Sequence, residues 1–229
     1  PGADLAVADV HSGFGRLARR LDVGVLLAVI AIGGIVNAAG MTAPVVEAMD
    51  RIPIGPRWLL EGGFVLAAIL VGLLGLGLAS TGDRGVPRTE RLVRIGLAVT
   101  PLGTAMWIVH FGFHLVTGWP TAEAAFIRVA YDLGTVASGP AEILSCCVPP
   151  PAWLLPVELV VLSLGFAGSL GVGWWIDRDQ AARFRGATGF GPVTRRWSWT
   201  ALIPLAMWLV SAWMVFQPME MRGTSGFAS

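Results

Sequence analysis

Two histidines one helical turn apart in an apolar stretch are the side chains best placed for chemistry. Met106, His110 and His114 recur at intervals of four residues, so on a helix they project from one face. Imidazole and thioether donors together suit copper better than magnesium or calcium, and haem iron takes His or Met as an axial ligand. The spacing predicts a site that binds copper, haem or (bacterio)chlorophyll.

A structural role is the other interpretation of the same pair. His110 and His114 would then hydrogen-bond to Glu61, Glu158 or backbone carbonyls and hold the helices together, as polar contacts often do in membrane bundles. A haem held between histidines of two spans finds no support, because the third histidine, His11, lies outside the apolar runs. The sequence leaves the metal, pigment and structural interpretations open.

Other polar residues occupy a similar depth in the remaining apolar runs. They are Asn37, Glu61, Glu158 and Gln217. Ionisable groups inside a bilayer are costly and usually face the protein interior or a wet cavity. We expect Asn37, Glu61 and Glu158 to form one polar cluster with the histidine pair near the outer side of the membrane.

Two short segments add further candidate ligands. Met219 and Met221 form a Met-x-Met segment after the last apolar run, and their thioethers would suit Cu(I). Cys146 and Cys147 are adjacent, a spacing that disfavours a disulfide between them. These two thiols are candidates for redox chemistry, soft-metal binding or pairing with another chain, or they are inert.

Composition determines where such a site lies. Of 229 residues, 55% are hydrophobic and 14% are charged, whereas a soluble domain has about 25% charged residues. The formal net charge of +1 provides no general attraction to nucleic acid. The apolar residues are gathered into runs of the length that crosses a bilayer, about 20 residues. A multi-pass protein of the bacterial inner membrane is predicted.

Five such runs are present, so we predict an all-α bundle of five transmembrane helices. A membrane-length apolar segment must satisfy its own backbone hydrogen bonds, which a helix does. Residues 1–22 would form a cytoplasmic segment and residues 218–229 a periplasmic tail. The predicted spans are at about 23–43, 59–79, 92–117, 153–176 and 199–217.

The arginines give the bundle a direction. Twelve fall before the first span, between spans two and three or between spans four and five, and four fall on the other side. The positive-inside rule then places the amino terminus in the cytoplasm and the carboxyl terminus outside. The histidines, both cysteines and the Met-x-Met segment would lie on the outer side.

Small residues and one long loop suggest where the chain makes contacts. Gly165, Ser169 and Gly173 recur every four residues, a pattern typical of close helix packing in membranes. The loop at 118–152 is the largest outer segment, and its stretch 126–133 is predicted to form a short helix along the membrane surface. A periplasmic partner would dock on this loop.

Residues 106–118 and 216–224 carry a resemblance to a known group of proteins. The stretches MWIVHFGFHLVTG and FQPMEMRGT resemble the carboxy-terminal membrane part of bacterial 4Fe-4S membrane polyferredoxins, the CcoG/FixG-like and NosR-like groups. The resemblance covers about residues 90–225 and implies respiratory electron transfer or the maturation of copper enzymes. Two cysteines cannot ligate a four-cysteine cluster, so no Fe–S cluster is expected in this chain. The resemblance implies that the clusters lie upstream or on another subunit.

These observations give two expectations for function. The first is a non-catalytic membrane subunit or accessory domain of a bacterial respiratory electron-transfer complex, with a copper or haem site in the outer leaflet. The second is a purely structural subunit of a larger respiratory or photosynthetic complex, which binds lipid or pigment. Common catalytic and nucleotide-binding motifs are absent from the sequence, and we expect no catalysis by the chain on its own.

Overall fold

Helices account for most of the residues that the structure describes. The computed structural model describes residues 20–52, 57–79, 87–138, 148–185 and 201–219. Within these ranges there is no strand, and one isolated bridge joins Thr42 to Met219. The predicted all-helical class is confirmed. The helices are α1 (Leu21–Ala39), α2 (Ala43–Asp50), α3 (Arg57–Ala79), α4 (Arg88–Asp132), α5 (Leu154–Arg185) and α6 (Leu202–Val215).

Four helices are long and apolar enough to cross a membrane. Their apolar segments are Leu21–Ala39, Leu59–Gly77, Arg88–Asp132 and Leu154–Arg178, and they correspond to the first four predicted spans. The fifth predicted span contains α6, which has 14 residues. At 1.5 Å per residue α6 is ~21 Å long, shorter than a hydrocarbon core of ~30 Å.

Helix α4 is much longer than the span predicted at 92–117. Its 45 residues give a length of ~68 Å, and it continues through Pro120 to Asp132. The loop predicted to begin at residue 118 is therefore helical at its start, and residues 126–132 continue α4 instead of forming a separate helix. Three alanines between Pro120 and Phe126 favour this continuation because alanine has the highest helix propensity.

Helices α1 and α4 run parallel in close contact. Gly96 faces the carbonyl of Gly24, Gly103 faces Ala31, and Gly34 faces the indole of Trp107. The residue numbers of these contacting partners differ by a constant 72 or 73. Contacts therefore advance along both helices in the same direction, and the helices are parallel. A Cβ atom on Gly103 would lie 2.5 Å from the Cα of Ala31, so glycine is required for this approach.

Helices α4 and α5 are antiparallel. Gly165 faces Ala105, and Ser169 lies further along α5 beside Leu102, which is earlier in α4. The buried hydroxyl of Ser169 accepts a hydrogen bond from the backbone N–H of Leu102 at 3.1 Å. Leu102 follows Pro101, where a proline disturbs the helical hydrogen bonds. The predicted packing role of Gly165 and Ser169 is thus confirmed.

One end of the bundle is closed by backbone contacts. The backbone N–H of Ala43 donates to the carbonyl of Pro218 at 2.9 Å, beside the bridge between Thr42 and Met219. The carboxyl ends of α1 and α6 therefore lie together. The N–H of Val148 donates to the carbonyl of Thr117 on α4 at 2.9 Å. The segment that leads into α5 therefore lies beside α4 at Thr117. We call this end of the bundle the capped end.

Candidate functional site

His110 lies in the interior of the bundle, near its capped end. Its side chain is 2% exposed, because α4 presents this position between α1 and the core. The Nε2 atom is 2.9 Å from the side-chain nitrogen of Asn37 on α1. The Nδ1 atom is buried and has no hydrogen-bond partner. Asn37 on α1 and His110 on α4 are therefore in direct contact.

The contact with Asn37 determines what His110 Nδ1 can do. If the amide of Asn37 donates to Nε2, then Nδ1 of a neutral ring carries the proton and is a free donor. If the amide is turned so that its oxygen accepts from Nε2–H, then Nδ1 has a free lone pair. Only the second arrangement allows Nδ1 to bind a metal ion.

His114 lies one turn closer to the capped end. Its ring centroid is 4.7 Å from that of His110, and the two rings meet edge to face. The side chain is partly exposed. The prediction that the two histidines share one helix face is therefore confirmed by a direct ring contact.

Met106 lies on the other side of His110, in the apolar core. It is fully buried in a cluster that includes Leu102, Leu162 and Met214. Met214 comes from α6, and a second methionine of that helix, Met207, packs against the same cluster. Sequence reasoning missed these two residues, although their separation of seven residues places them on one face of a helix. The described residues thus bring the thioethers of Met106, Met207 and Met214 into one apolar cluster, of which Met106 lies one turn from His110 on α4.

Trp107 also helps to position the site, although it was not among the candidate residues predicted from the sequence. Its indole N–H donates to the carbonyl of Ile30 in α1 at 2.9 Å, and its ring stacks on Phe111 with a centroid separation of 5.2 Å. The indole fits against α1 because position 34 is glycine, where a Cβ would lie 2.9 Å from the indole nitrogen. Trp107 therefore fixes the depth and rotation of the helix that carries the histidines.

Glu158 lies on α5, one turn from the start of the helix. The side chain is 5% exposed, and its Oε1 atom has no hydrogen-bond partner. It shares a helix face with Leu162, Gly165 and Ser169, the face that packs on α4. No hydrogen bond joins Glu158 to either histidine in the part of the chain that the structure describes.

The other candidate residues lie on different segments of the chain. Glu61 lies near the start of α3, a helix that contacts α1 where Gly72 meets Ile32. Met219 forms the backbone bridge to Thr42 at the capped end. Met221, Cys146 and Cys147 lie outside the described residues.

The donor set limits the choice of metal. Among the described residues, no three His, Cys, Asp or Glu side chains are grouped closely enough to hold a metal ion. A metal at His110 would therefore need other donors, and the thioether of Met106, one helical turn away, is a soft ligand that suits Cu(I). The two histidines cannot occupy both axial positions of one haem, because they project from the same helix face with their rings in contact.

Comparison with known proteins gives no further guide. No protein-family model, curated protein or solved structure matches this chain.

Proposed function

We propose that this chain is a non-catalytic membrane subunit of a bacterial respiratory electron-transfer complex and that it holds copper at the His110 site. The observation that carries the proposal is the buried Nδ1 of His110, which has no hydrogen-bond partner. The ring of His114 contacts that of His110, and Met106, one helical turn away, belongs to the thioether cluster. A buried polar atom without a partner calls for an explanation. A metal ion bound there would provide one.

Copper fits this donor set better than haem does. His110 and Met106 would hold it, with His114 or Met214 as a further ligand, and Cu(I) accepts imidazole and thioether donors. Bound copper would supply one-electron chemistry. The protein residues would orient the imidazole through Asn37, with the amide turned so that its oxygen accepts from Nε2–H, and exclude water through the apolar cluster.

We also propose five membrane crossings, with the capped end on the outer side. Helices α1, α4 and α6 run in one direction and α5 runs in the other, which supports an alternating path of the chain. Arginine is in excess before the first span, between spans two and three, and between spans four and five. This excess supports a cytoplasmic amino terminus. The histidine pair and Glu158 would then lie in the outer leaflet, and the extension of α4 beyond residue 117 would reach the periplasm.

Metal analysis of the purified chain tests the proposal. We expect about one copper per chain in the wild type, loss of copper in His110→Ala, and retention in Leu115→Ala. Leu115 is a matched control because it lies on the same helix with an exposed side chain. Native purification should also recover a membrane partner with the optical spectrum of an Fe–S or haem group. A wild-type chain that binds no copper under anaerobic loading would contradict the site, and isolation without any redox partner would contradict the function.

A structural subunit remains the second candidate, and one contact favours it. The hydrogen bond between Asn37 and His110 ties α1 to α4 and is sufficient reason for a polar residue at each position. In that case both His110→Ala and Asn37→Ala would weaken assembly of the complex equally, and neither variant would alter metal content.

A further inference from the structure

Helix α4 is longer than a membrane is thick, and its far end carries exposed apolar side chains. A bilayer with its headgroups is about 40–45 Å thick, whereas the 45 residues of α4 span ~68 Å. Beyond residue 117, where the predicted span ends, the helix continues for ~22 Å to Asp132. On this part, residues 118–132, which we call the α4 extension, the side chain of Phe126 is 73% exposed. Apolar surface that lies outside the lipid tails marks an interaction site.

The exposed apolar residues of α4 follow a heptad pattern. From position 108 onward, apolar or small residues recur at alternating steps of four and three, which is the spacing of positions a and d in a coiled coil. None of these residues is buried, and the large side chains among them are 55–73% exposed. We call this set the α4 seam, and its members are Ile108, Gly112, Leu115, Trp119, Ala122, Phe126, Val129 and Leu133.

The α4 seam passes without a break from the predicted span into the α4 extension. Ile108 and Leu115 lie within the span, and Phe126 and Val129 lie beyond it. A surface that only faces lipid needs no heptad spacing and has no reason to continue outside the membrane. A single partner that covers the whole seam is a helix ~38 Å long that rises from the bilayer beside α4.

A second copy of this chain provides such a helix. Two copies inserted in the same direction have parallel α4 helices, and a two-fold axis along the membrane normal places each seam residue opposite its equivalent. In a parallel coiled coil, position g of one helix lies beside position e of the next heptad in the partner. Ala125 then faces Ala130, and Gly118 faces Glu123. The charges beside the seam therefore do not repel each other across the two helices.

The exposed area along the seam is comparable with what a dimer needs. A specific interface buries about 800 Å² on each partner, and a large aromatic side chain accounts for about 150–250 Å². Phe111, which borders the seam, Trp119 and Phe126 are 59%, 60% and 73% exposed. Together they offer roughly 300–450 Å² per copy, and the aliphatic residues of the seam add to this area.

We propose that two copies of this chain form a parallel dimer through the α4 seam, with the two α4 extensions joined in a short coiled coil outside the membrane. The pairing covers the apolar side chains that rise above the lipid. It does not depend on copper binding at His110 or on which side of the membrane the capped end faces.

Single-molecule photobleaching of the full chain in dilute liposomes, with one fluorophore at the amino terminus, tests the dimer. We expect two bleaching steps for most wild-type particles and a loss of at least tenfold in that fraction for Phe126→Glu, which puts a charge into the seam. Tyr131→Glu is the matched control, because Tyr131 is 50% exposed and lies on the opposite face of the α4 extension. A wild-type chain that bleaches in one step would overturn the proposal, since lipid or another protein would then cover the seam. Equal dimer fractions in Phe126→Glu and wild type would also overturn it.

Disulfide cross-linking in membrane vesicles tests the parallel register. Single cysteines are introduced into a chain that carries Cys146→Ser and Cys147→Ser, and an oxidant is added. Ala122→Cys and Val129→Cys should form covalent dimers, because a parallel seam brings equivalent backbones within the range that a disulfide bridges, about 4.4–6.8 Å between Cα atoms. Tyr131→Cys should give at least tenfold less covalent dimer at the same time of oxidation. Equal yields at the seam and at position 131, or no covalent dimer from either seam position, would overturn the proposed register.

Discussion

The contact between Gly103 and Ala31 gives a sharp test of the packing that positions the histidines. A Cβ added at Gly103 would lie 2.5 Å from the Cα of Ala31, whereas carbon atoms in contact sit at about 3.5–4.0 Å. In Gly103→Ala the helices α1 and α4 must therefore separate by roughly 1 Å at this point, the difference from that contact distance. Overpacking of this kind typically costs about 1–3 kcal/mol.

The same displacement reaches the candidate site. Asn37 and His110 lie about two turns further along the parallel pair, and their nitrogen atoms are 2.9 Å apart. Hydrogen bonds in proteins have donor–acceptor distances of about 2.7–3.2 Å, and a separation of about 3.6 Å no longer forms one. We therefore expect Gly103→Ala to lose stability and to weaken the contact between Asn37 and His110.

Reversible unfolding of the chain in mixed micelles, followed by helical circular dichroism, measures the loss of stability. Gly112→Ala is the control, because a Cβ there meets no atom within 4 Å and alanine favours the helix by about 1 kcal/mol. We expect Gly103→Ala to be less stable than wild type and Gly112→Ala to be at least as stable. Equal stability of the two variants would refute the close parallel contact of α1 with α4.

Two further substitutions test individual hydrogen bonds by the same unfolding assay. Ser169→Ala should cost about 1 kcal/mol, because it removes the acceptor of the Leu102 N–H and leaves that donor buried; an unchanged midpoint would contradict the role given to Ser169. Trp107→Phe should cost roughly 0.6 kcal/mol, the average for a hydrogen bond between membrane helices, because the ring is kept and only the bond to Ile30 is lost. If Trp107→Phe loses as much stability as Trp107→Ala, the assignment of a small contribution to this hydrogen bond is contradicted.

Local spacing was sufficient to predict the helix face that His110 and His114 share and the position of Asn37 near the end of α1. Helical periodicity alone brings His110 and His114 into ring contact, and the apolar run around Asn37 places it near the end of α1. The sequence also predicted the packing of Gly165 and Ser169, since small residues at intervals of four mark close helix contacts.

Features that depend on the register between helices were not predictable. The difference in residue number between contacting positions of α1 and α4, as for Ala31 and Gly103, determines which residue of α1 meets His110. No local sequence pattern encodes this difference. Met214 joins Met106 only because α6 returns to the capped end. The continuation of α4 to Asp132 was not predicted, because the apolar run ends near residue 117. The alanine-rich sequence after Pro120 favours the continued helix.

The parallel pairing of α1 with α4 also affects how the protein is made. Ala31 and Gly103 are 72 residues apart in the chain, and synthesis proceeds at about 5–20 residues per second. The partner of α1 therefore leaves the ribosome roughly 4–14 s after α1 itself, on the same rate of synthesis. During this interval the surface of α1 that contacts α4, including Gly24, Ala31 and the amide of Asn37, lacks its native partner.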